Sequence, residues 1–369
     1  VAIVLLSGGT TALCAAPVAR LSQESGDAAR AQAHLANLAQ TLLESGLAIH
    51  EMNAIRRRVL RFGAGRLAVA LANRGVTRIA TFAISDVIGD DPAVIGSGPC
   101  SADTLDDAAL LALIDAHDLR PRLERAVATV LGLEGSGKAI AVPAATDAAF
   151  ARVQYTLIAS NRDALAAMAT NAEARGLQVL VDETPLAAEA ATIGDALARR
   201  ALELARTVPA GVPLVVLCGG EPVVHLRDTI ARAMHEGDED DARLAEYGDA
   251  GALLQGLASS ADEPLRGGRM QVLALSAALT LEAAAARGHS HASRIVVLAA
   301  GTDGRDGPTD EAGAIVDAAV PALARRARRT PEKDLLTGHS WFSLDGAGAL
   351  LRTGLTGTNA MDVVAILIR

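Results

Sequence analysis

The sequence predicts an α/β protein with two domains, each built on a mainly parallel sheet flanked by helices. Short apolar runs alternate along the chain with longer Ala- and Leu-rich segments whose charges recur at helical spacing, a pattern typical of βαβ units. At 369 residues the chain exceeds the usual size of a single core. Half of its residues are hydrophobic but only 2% are aromatic, so the core consists of small aliphatic side chains, which suit helices packed on sheets.

Seven apolar runs are predicted strands, and four longer segments are predicted helices. We expect the strands, in chain order, at residues 1–6, 78–84, 153–159, 179–182, 213–218, 294–300 and 363–368. The amphipathic helices are expected at residues 28–45, 162–175, 187–206 and 270–287. Between the third helix and the fifth strand, residues 207–213 contain two prolines and a glycine, which favours a linker. The predicted domains are therefore residues 1–207 and 213–369.

The composition excludes several classes of function. A net charge of −9 and a pI near 5.4 argue against a general polyanion-binding surface, and the scarcity of aromatic rings disfavours nucleic-acid stacking. No stretch approaches the ~18–20 apolar residues of a membrane span. The cysteines, Cys14, Cys100 and Cys218, show no C-x-x-C spacing. They predict neither a disulfide framework nor a zinc site and suit a reducing cytoplasm.

The layout of the chain carries two further expectations. It begins without Met and directly inside a strand-like run, so we expect the sequence to be part of a longer protein. The acidic stretch at residues 235–241 predicts an exposed insertion, with a metal site as the less favoured alternative.

Four glycine-rich turns predict a site for a phosphorylated ligand. Glycine lets the backbone approach an anion closely, and a strand that ends in such a turn directs N–H groups at that anion. An ordinary connecting turn is the alternative for each, but four together, three of them carrying Asp, Glu or Arg, favour a ligand site. The turns are Ser7-Gly8-Gly9-Thr10-Thr11, Cys218-Gly219-Gly220-Glu221, Arg266-Gly267-Gly268-Arg269 and Gly301-Thr302-Asp303-Gly304.

Two other glycine motifs are rejected as nucleotide sites. Residues 132–139 resemble a Walker A loop, but Ala139 stands where a Mg²⁺-binding Ser or Thr is required. Residues 63–68 mimic a dinucleotide fingerprint, but a poor strand precedes them and no acidic residue follows at the required offset of ~20. We predict a helix end and a turn there.

Asp86 is the first candidate for a metal ligand or a general base. It directly follows the predicted strand at residues 78–84, so we expect it at the carboxyl edge of the sheet, where α/β ligand sites form. A helix-capping role is the alternative.

The C-terminal half supplies a second set of polar turns. Asp303 follows the strand at residues 294–300, and Thr356-Gly357-Thr358-Asn359 precedes the last strand. Hydroxyls and carboxylates in such a cluster suit Mg²⁺ and oxyanion ligands. Arg269 is predicted to clamp a carboxylate or phosphate through two hydrogen bonds, with a surface arginine as the alternative.

Taken in chain order, these motifs resemble those of the type-2 glycerate kinases, a family with a C-terminal module called MOFRL. The resemblance spans essentially the whole chain. It rests on Ser7-Gly8-Gly9, Ile49-His50-Glu51-Met52-Asn53-Ala54-Ile55-Arg56, Ile84-Ser85-Asp86-Val87, Ser97-Gly98-Pro99, Gly219-Gly220-Glu221, Gly267-Gly268-Arg269, the segment from Thr302 to Asp310, and Thr356-Gly357-Thr358-Asn359.

The resemblance implies a Rossmann-like glycerate kinase domain, a MOFRL domain and an active-site cleft between them. The implied reaction is transfer of the γ-phosphate of ATP to the 2-hydroxyl of D-glycerate, with Mg²⁺, to give 2-phosphoglycerate. The implied partners are this substrate and the nucleotide, and a homo-oligomer is left open.

The resemblance also implies roles for individual residues. Asn53, Arg56 and Arg269 would grip glycerate or phosphate, and Arg269 would also be catalytic. Asp86 and Asp303 would bind the metal or accept the hydroxyl proton, with these roles not assigned individually. The nucleotide or substrate oxyanions would contact Ser7, Gly8, Gly9, Gly219, Gly220, Glu221, Thr356, Gly357, Thr358 and Asn359.

The sequence departs from the family pattern at its start, and two alternative functions stay open. Family members usually begin with a further αβ segment whose Gly-Lys-Ala turn carries a lysine thought catalytic. This sequence starts after that point, and neither Lys138 nor Lys333 matches that lysine. The alternative functions are a hydroxypyruvate reductase that uses NAD(P)H, a name often given to relatives, and a ligand-binding relative with impaired catalysis.

Overall fold

The structure is a computed structural model that describes residues 1–45, 47, 49–103, 105–134, 139–209, 211–224 and 266–369. The chain divides into two compact units, Val1–Ala159 and Ser160–Arg369. The predicted acidic insertion at residues 235–241 and most of the glycine-rich part of residues 132–139 lie outside the described residues.

The first unit contains a parallel sheet of three strands. Strands β1 (Ala2–Leu6), β2 (Ile79–Ile84) and β3 (Val153–Ala159) lie in that order. Since Leu6 pairs with Ala83 and Ile84 with Ala159, all three strands end at one edge of the sheet.

Helices form most of the core of the first unit. Their amphipathic faces meet around the fully buried side chains of Leu21, Leu42, Ile55, Leu110 and Ile114, as expected for apolar residues at helical spacing. The helices are Thr10–Leu13, Ala19–Ser25, Ala28–Leu43, Ile49–Val59, Arg66–Asn73, Asp107–Ala116 and Arg125–Val130.

The second unit contains a mixed sheet of six strands in the order β4-β5-β9-β6-β7-β8. Strands β4 and β5 are parallel, whereas β9 runs antiparallel between β5 and β6. Strand β7 is antiparallel to β6 and to β8. The strands are β4 (Gln178–Val181), β5 (Leu214–Gly220), β6 (Ile295–Gly301), β7 (Gly313–Val316), β8 (Leu350–Leu351) and β9 (Asp362–Ile368).

Two long helices, Ala190–Thr207 and Arg269–Ala286, pack closely in the core of the second unit. A side chain at Gly194 would place its Cβ only 2.2 Å from the carbonyl oxygen of Leu273. The hydroxyl of Ser276 donates to the carbonyl of Ala191 across the same contact, at 2.6 Å. The other helices of the unit are Asn161–Glu173, Val320–Arg326, Pro331–Leu336 and Ser340–Gly346.

The α/β class and all seven predicted strands are confirmed, with ends that agree to within two residues. The expectation of mainly parallel sheets holds for the first sheet but is wrong for the second, because β9 inserts antiparallel between β5 and β6. Apolar runs indicate strands but not the direction of their neighbours.

The predicted boundary at residues 207–213 does not coincide with the observed division after Ala159. Strand β4 pairs with β5, and the helix Ala190–Thr207 packs on Arg269–Ala286. Residues 160–207 therefore belong to the second unit, as do the described residues between Thr207 and the start of β5. None of the helices in the described part of the chain has both the length and the hydrophobicity of a membrane-spanning segment.

Candidate functional site

Three strand ends meet at one edge of the six-stranded sheet. Because β9 is antiparallel, its first residue, Asp362, lies between Gly220 at the end of β5 and Gly301 at the end of β6. The predicted turns at residues 218–221 and 301–304 are thus brought together around the start of β9.

Asp362 is almost fully buried there. The neighbouring Gly219 and Gly301 lack side chains that would collide with the groups packed around it. A Cβ on Gly301 would lie 2.4 Å from the carbonyl oxygen of Arg305 and 3.4 Å from Asp362 Oδ1. A Cβ on Gly219 would lie 2.2 Å from the side-chain oxygen of Asn161, whose amide donates to the carbonyls of Ala360 and Asp362 at 2.8 and 2.9 Å. These glycines are required by close packing inside the protein.

Arg269 connects the strand ends to the helix Arg269–Ala286. Its Nε and Nη2 donate to the two carboxylate oxygens of Asp362, the latter at 3.4 Å, and its Nη1 donates to Glu221 Oε1 at 3.0 Å. The side chains of Arg269 and Glu221 are 35% and 33% exposed, against 5% for Asp362. Arg269 is therefore anchored from the buried side by Asp362 and contacts Glu221 on its open side.

A second buried carboxylate, Asp306, lies at the start of the same helix. Its Oδ1 and Oδ2 accept the backbone N–H groups of Met270 and Gln271 at 3.1 and 2.7 Å. A Cβ on Gly268 would lie 2.1 Å from Asp306 Oδ1. The glycine turn before Arg269 thus encloses a carboxylate of the protein itself, and these two N–H groups are engaged.

Burial governs the ionisation of both carboxyls. Desolvation raises the pKa of Asp306 to about 7, although the hydrogen bonds from Met270 and Gln271 oppose this shift. Desolvation also raises the pKa of Asp362 to about 6, against the opposing charge of Arg269 and with the nearby charges of Glu221 and Asp303 adding to the increase.

Asp303 and the loop at residues 356–359 adjoin this edge. Asp303 is half-buried, and its Oδ1 accepts the N–H of Arg305 at 2.9 Å. The hydroxyl of Thr356 donates to the carbonyl of Thr302 at 2.6 Å, and Asn359 Oδ1 accepts the N–H of Met361 at 3.1 Å. The polar turns predicted in the C-terminal half are therefore neighbours.

The turn after β5 differs from a phosphate cradle in one respect. The N–H of Glu221 donates to the carbonyl of Leu186 at 2.7 Å, and the carbonyl of Gly219 accepts the N–H of Leu186 at 2.9 Å. The backbone of this turn is therefore occupied within the protein, while the carboxylate of Glu221 remains one-third exposed.

The first unit has a separate group of polar turns at the edge of its sheet. The Ser7-Gly8-Gly9 turn follows β1, and Asp86, which is half-buried, is separated from β2 by Ser85 alone. The hydroxyl of Thr11 lies 2.9 Å from that of Ser97, which joins the Ser97-Gly98-Pro99 turn to this edge. At Gly9 the backbone has φ +79°, a left-handed conformation that favours glycine. A Cβ there would have no neighbour nearer than 3.9 Å, so the space beside the turn is open.

The helix Ile49–Val59 carries Asn53 and Arg56 on its half-buried side. Arg56 Nη1 donates to the side-chain oxygen of Asn53 at 3.3 Å, and burial lowers the pKa of Arg56. The next two arginines differ, since Arg57 and Arg58 both pair with the buried carboxylate of Asp103 at 2.9 Å. Asn53 and Arg56 are thus predicted substrate ligands in contact with each other, whereas Arg57 and Arg58 stabilise the fold.

Sequence reasoning missed the two carboxylates that hold the helix of Arg269. Asp362 begins an apolar strand, and Asp306 lies three residues after Asp303, so only their position next to predicted polar turns could have suggested them.

The rejected motif at residues 63–68 is confirmed as a turn, because Gly65 has φ +77° and starts the helix Arg66–Asn73. Within the described ranges, no three His, Cys, Asp or Glu side chains converge as a metal site.

Fold and site are those of an α/β enzyme with an arginine held by carboxylates at its strand ends. A model described as a domain of unknown function, DUF4147, matches residues 1–132, and the MOFRL family model matches residues 259–362. The chain belongs to the type-2 glycerate kinase family.

Individual relatives support this assignment. The chain is 33% identical to an Agrobacterium vitis protein named a hydroxypyruvate reductase, over 99% of this chain and 69% of that protein. It is 31% identical to a glycerate kinase of Macaca fascicularis, over 100% and 88% of the two chains. It is 28% identical to a D-glycerate 2-kinase of Thermotoga maritima, over 99% and 71%.

Solved structures agree with this assignment. The crystal structure of a glycerate kinase from Thermotoga maritima superimposes with a TM-score of 0.68 at 27% identity, covering 100% of this chain and 72% of the other. A Pyrococcus horikoshii protein superimposes with a TM-score of 0.61, also at 27% identity.

Proposed function

We propose that this protein transfers the γ-phosphoryl group of ATP to the 2-hydroxyl of D-glycerate and forms 2-phosphoglycerate and ADP. The observation that carries the proposal is the contact of Arg269 with Asp362 and Glu221 at the strand ends of the second unit. The glycerate kinases among the relatives support the choice of substrate.

Arg269 suits the binding of an oxyanion. Asp362 holds its Nε and Nη2 from the buried side, whereas Glu221 reaches a single nitrogen from a partly exposed position. An oxyanion of glycerate or of the transferring phosphoryl group replaces Glu221 at Nη1 while Asp362 keeps the guanidinium oriented. A preoriented cation stabilises the charge that develops during phosphoryl transfer.

In the proposed reaction the 2-hydroxyl oxygen forms a bond to the γ-phosphorus and the bond from that phosphorus to the β,γ-bridging oxygen breaks. A carboxylate accepts the hydroxyl proton. Asp303 is the candidate in the second unit, because one of its oxygens is fixed by the N–H of Arg305, and Asp86 is the candidate in the first. Asn53 and Arg56 bind the carboxylate of glycerate, since Arg56 donates to the amide oxygen of Asn53 and forms no ion pair with a carboxylate in the described part of the chain.

Magnesium fits this site in a limited role. Mg²⁺ commonly takes one or two protein carboxylates and completes its shell with water and substrate phosphates. Since no three described His, Cys, Asp or Glu side chains converge, a complete protein cage is not formed, but Asp86 or Asp303 can supply one ligand. When bound, the ion would neutralise charge on the phosphates.

The nucleotide assignment rests on the open turns. The Ser7-Gly8-Gly9 turn and the exposed loop at residues 356–358 have room beside Gly9 and Gly357, at each of which φ is near +80°. We assign phosphate contacts to these turns. The cytoplasmic location predicted from the cysteines stays a prediction.

The test is a coupled assay with MgATP and D-glycerate that resolves 2-phosphoglycerate from 3-phosphoglycerate. It should use the product of the gene that encodes this sequence, with Arg269→Lys as the variant. We expect kcat/KM of the variant to fall about 100-fold, because lysine cannot reproduce the two-pronged bond to Asp362.

Arg305→Lys is the matched control, since Arg305 is an exposed arginine that pairs with Asp310, and it should retain activity. Formation of 3-phosphoglycerate would refute the position of transfer. Absence of ADP formation together with oxidation of NADH in the presence of hydroxypyruvate would replace the kinase by the reductase.

A further inference from the structure

We propose that Asp306 is a positioning residue that aligns Arg269 with the loop carrying Asp303. This inference rests on the proposed function for the reaction in which Arg269 takes part. The alignment of Arg269 by Asp306 can be measured without substrate.

The first argument is the placement of the Asp306 carboxylate on the helix of Arg269. Both oxygens accept N–H groups from the two residues that follow Arg269. A helix leaves its first N–H groups without partners inside the helix, and Asp306 satisfies two of them. The carboxylate therefore fixes the backbone turn from which the Arg269 side chain extends.

The second argument is the close contact between the two loops. A Cβ on Gly268 would lie 2.1 Å from Asp306 Oδ1, and a Cβ on Gly307 would lie 2.8 Å from Gly268 Cα. No larger residue fits at either position unless the loops separate. The Arg266-Gly267-Gly268-Arg269 turn is thus shaped around Asp306.

The third argument is the rigidity of the Asp306 loop. The hydroxyl of Thr309 donates to the carbonyl of Asp306 at 2.8 Å and accepts a bond from the side-chain amide of Gln271 at 2.7 Å. At the other end of the loop, Asp303 accepts the N–H of Arg305. Because Asp303 lies three residues before Asp306 in this loop, displacement of Asp306 would alter the position of Asp303 relative to Arg269.

The main test is a double-mutant cycle between Asp306→Asn and Arg269→Lys. The Asn amide cannot accept both N–H groups, so we expect kcat to fall about 10- to 100-fold in the wild-type background, the range caused by small misplacement of a catalytic group. In the Arg269→Lys background the same change should have little effect, because the group that Asp306 positions is already impaired. Equal losses in both backgrounds would overturn the inference.

A matched control is Asp310→Asn, which alters an exposed carboxylate of the same loop that pairs with Arg305. It should leave kcat unchanged. If Asp306→Asn does not fold, Asp306→Ser replaces it, because serine can still accept one N–H at the start of a helix.

A second readout does not depend on activity. Nitrogen-15 spectra of the arginine side chains should show the Nε–H signal of Arg269, identified by its loss in Arg269→Lys. We expect this signal to shift in Asp306→Asn and not in Asp310→Asn. An unshifted signal would refute the alignment. A shifted signal in a protein that does not phosphorylate glycerate would refute the proposed function and leave the alignment standing.

Discussion

At the scale of single residues, the carboxyl of Asp362 combines two opposing demands. Burial favours its protonated form, whereas Arg269 favours the ionised form, and the pKa of Asp362 is raised to about 6 because burial dominates. The site therefore holds Arg269 with a carboxylate that titrates closer to neutrality than an ordinary aspartate, whose pKa is ~3.9.

This raised pKa predicts the pH dependence of stability. Between about pH 4 and pH 6 the folded state binds a proton at Asp362 that the unfolded chain has released, so the contribution of Asp362 to the free energy of unfolding falls as pH increases. Asp362→Asn should make this decline shallower by at most about 1.4 kcal/mol per pH unit. Urea unfolding at several pH values measures the slope, and identical slopes for the two proteins would contradict the assignment.

At the scale of helices and strands, the packing of Ala190–Thr207 on Arg269–Ala286 depends on small residues at the contact. Gly194 allows the carbonyl of Leu273 to approach, and the hydroxyl of Thr280 donates to Asp195 at 2.7 Å beside it. Because Arg269 begins the second of these helices, their packing also supports the candidate site.

Gly194→Ala tests this contact. Alanine favours a helix by about 1 kcal/mol over glycine, but its Cβ would lie 2.2 Å from the Leu273 oxygen. We expect the steric cost to dominate and the free energy of unfolding to fall by about 1–3 kcal/mol. Glu203→Ala, on the exposed face of the same helix, is the control and should change stability little. A more stable Gly194→Ala variant would show that the helices separate without cost.

At the scale of the whole molecule, the division after Ala159 gives each unit its own sheet and core. The strand β4 and the helices Asn161–Glu173 and Ala190–Thr207 complete the second unit. A boundary near residue 207 would remove the edge strand beside β5 and expose the apolar face that Ala190–Thr207 covers.

The two boundaries predict different behaviour of fragments. Residues 160–369 should unfold cooperatively in urea, because that fragment retains the whole six-stranded sheet and its helices. Residues 213–369 should aggregate or unfold without a cooperative transition, since they lack these covering elements. If the shorter fragment unfolds as cooperatively as the longer one, the boundary predicted at residues 207–213 would be restored.

The sequence by itself determined the α/β class, the positions of seven strands and the glycine and carboxylate turns at strand ends. These features follow from local periodicity and turn chemistry, which depend on residues close together in the chain. Arg269 and Asp303 could be selected in this way because each lies in such a turn.

Only the tertiary structure decided that β9 lies antiparallel between β5 and β6, and hence that Asp362 reaches Arg269 across 93 positions of sequence. It also decided that Asp306 occupies the start of the helix that the glycine turn precedes. Strand order and the burial of a carboxyl depend on contacts between distant segments. No local pattern encodes these contacts, because the same apolar run can pair in either direction.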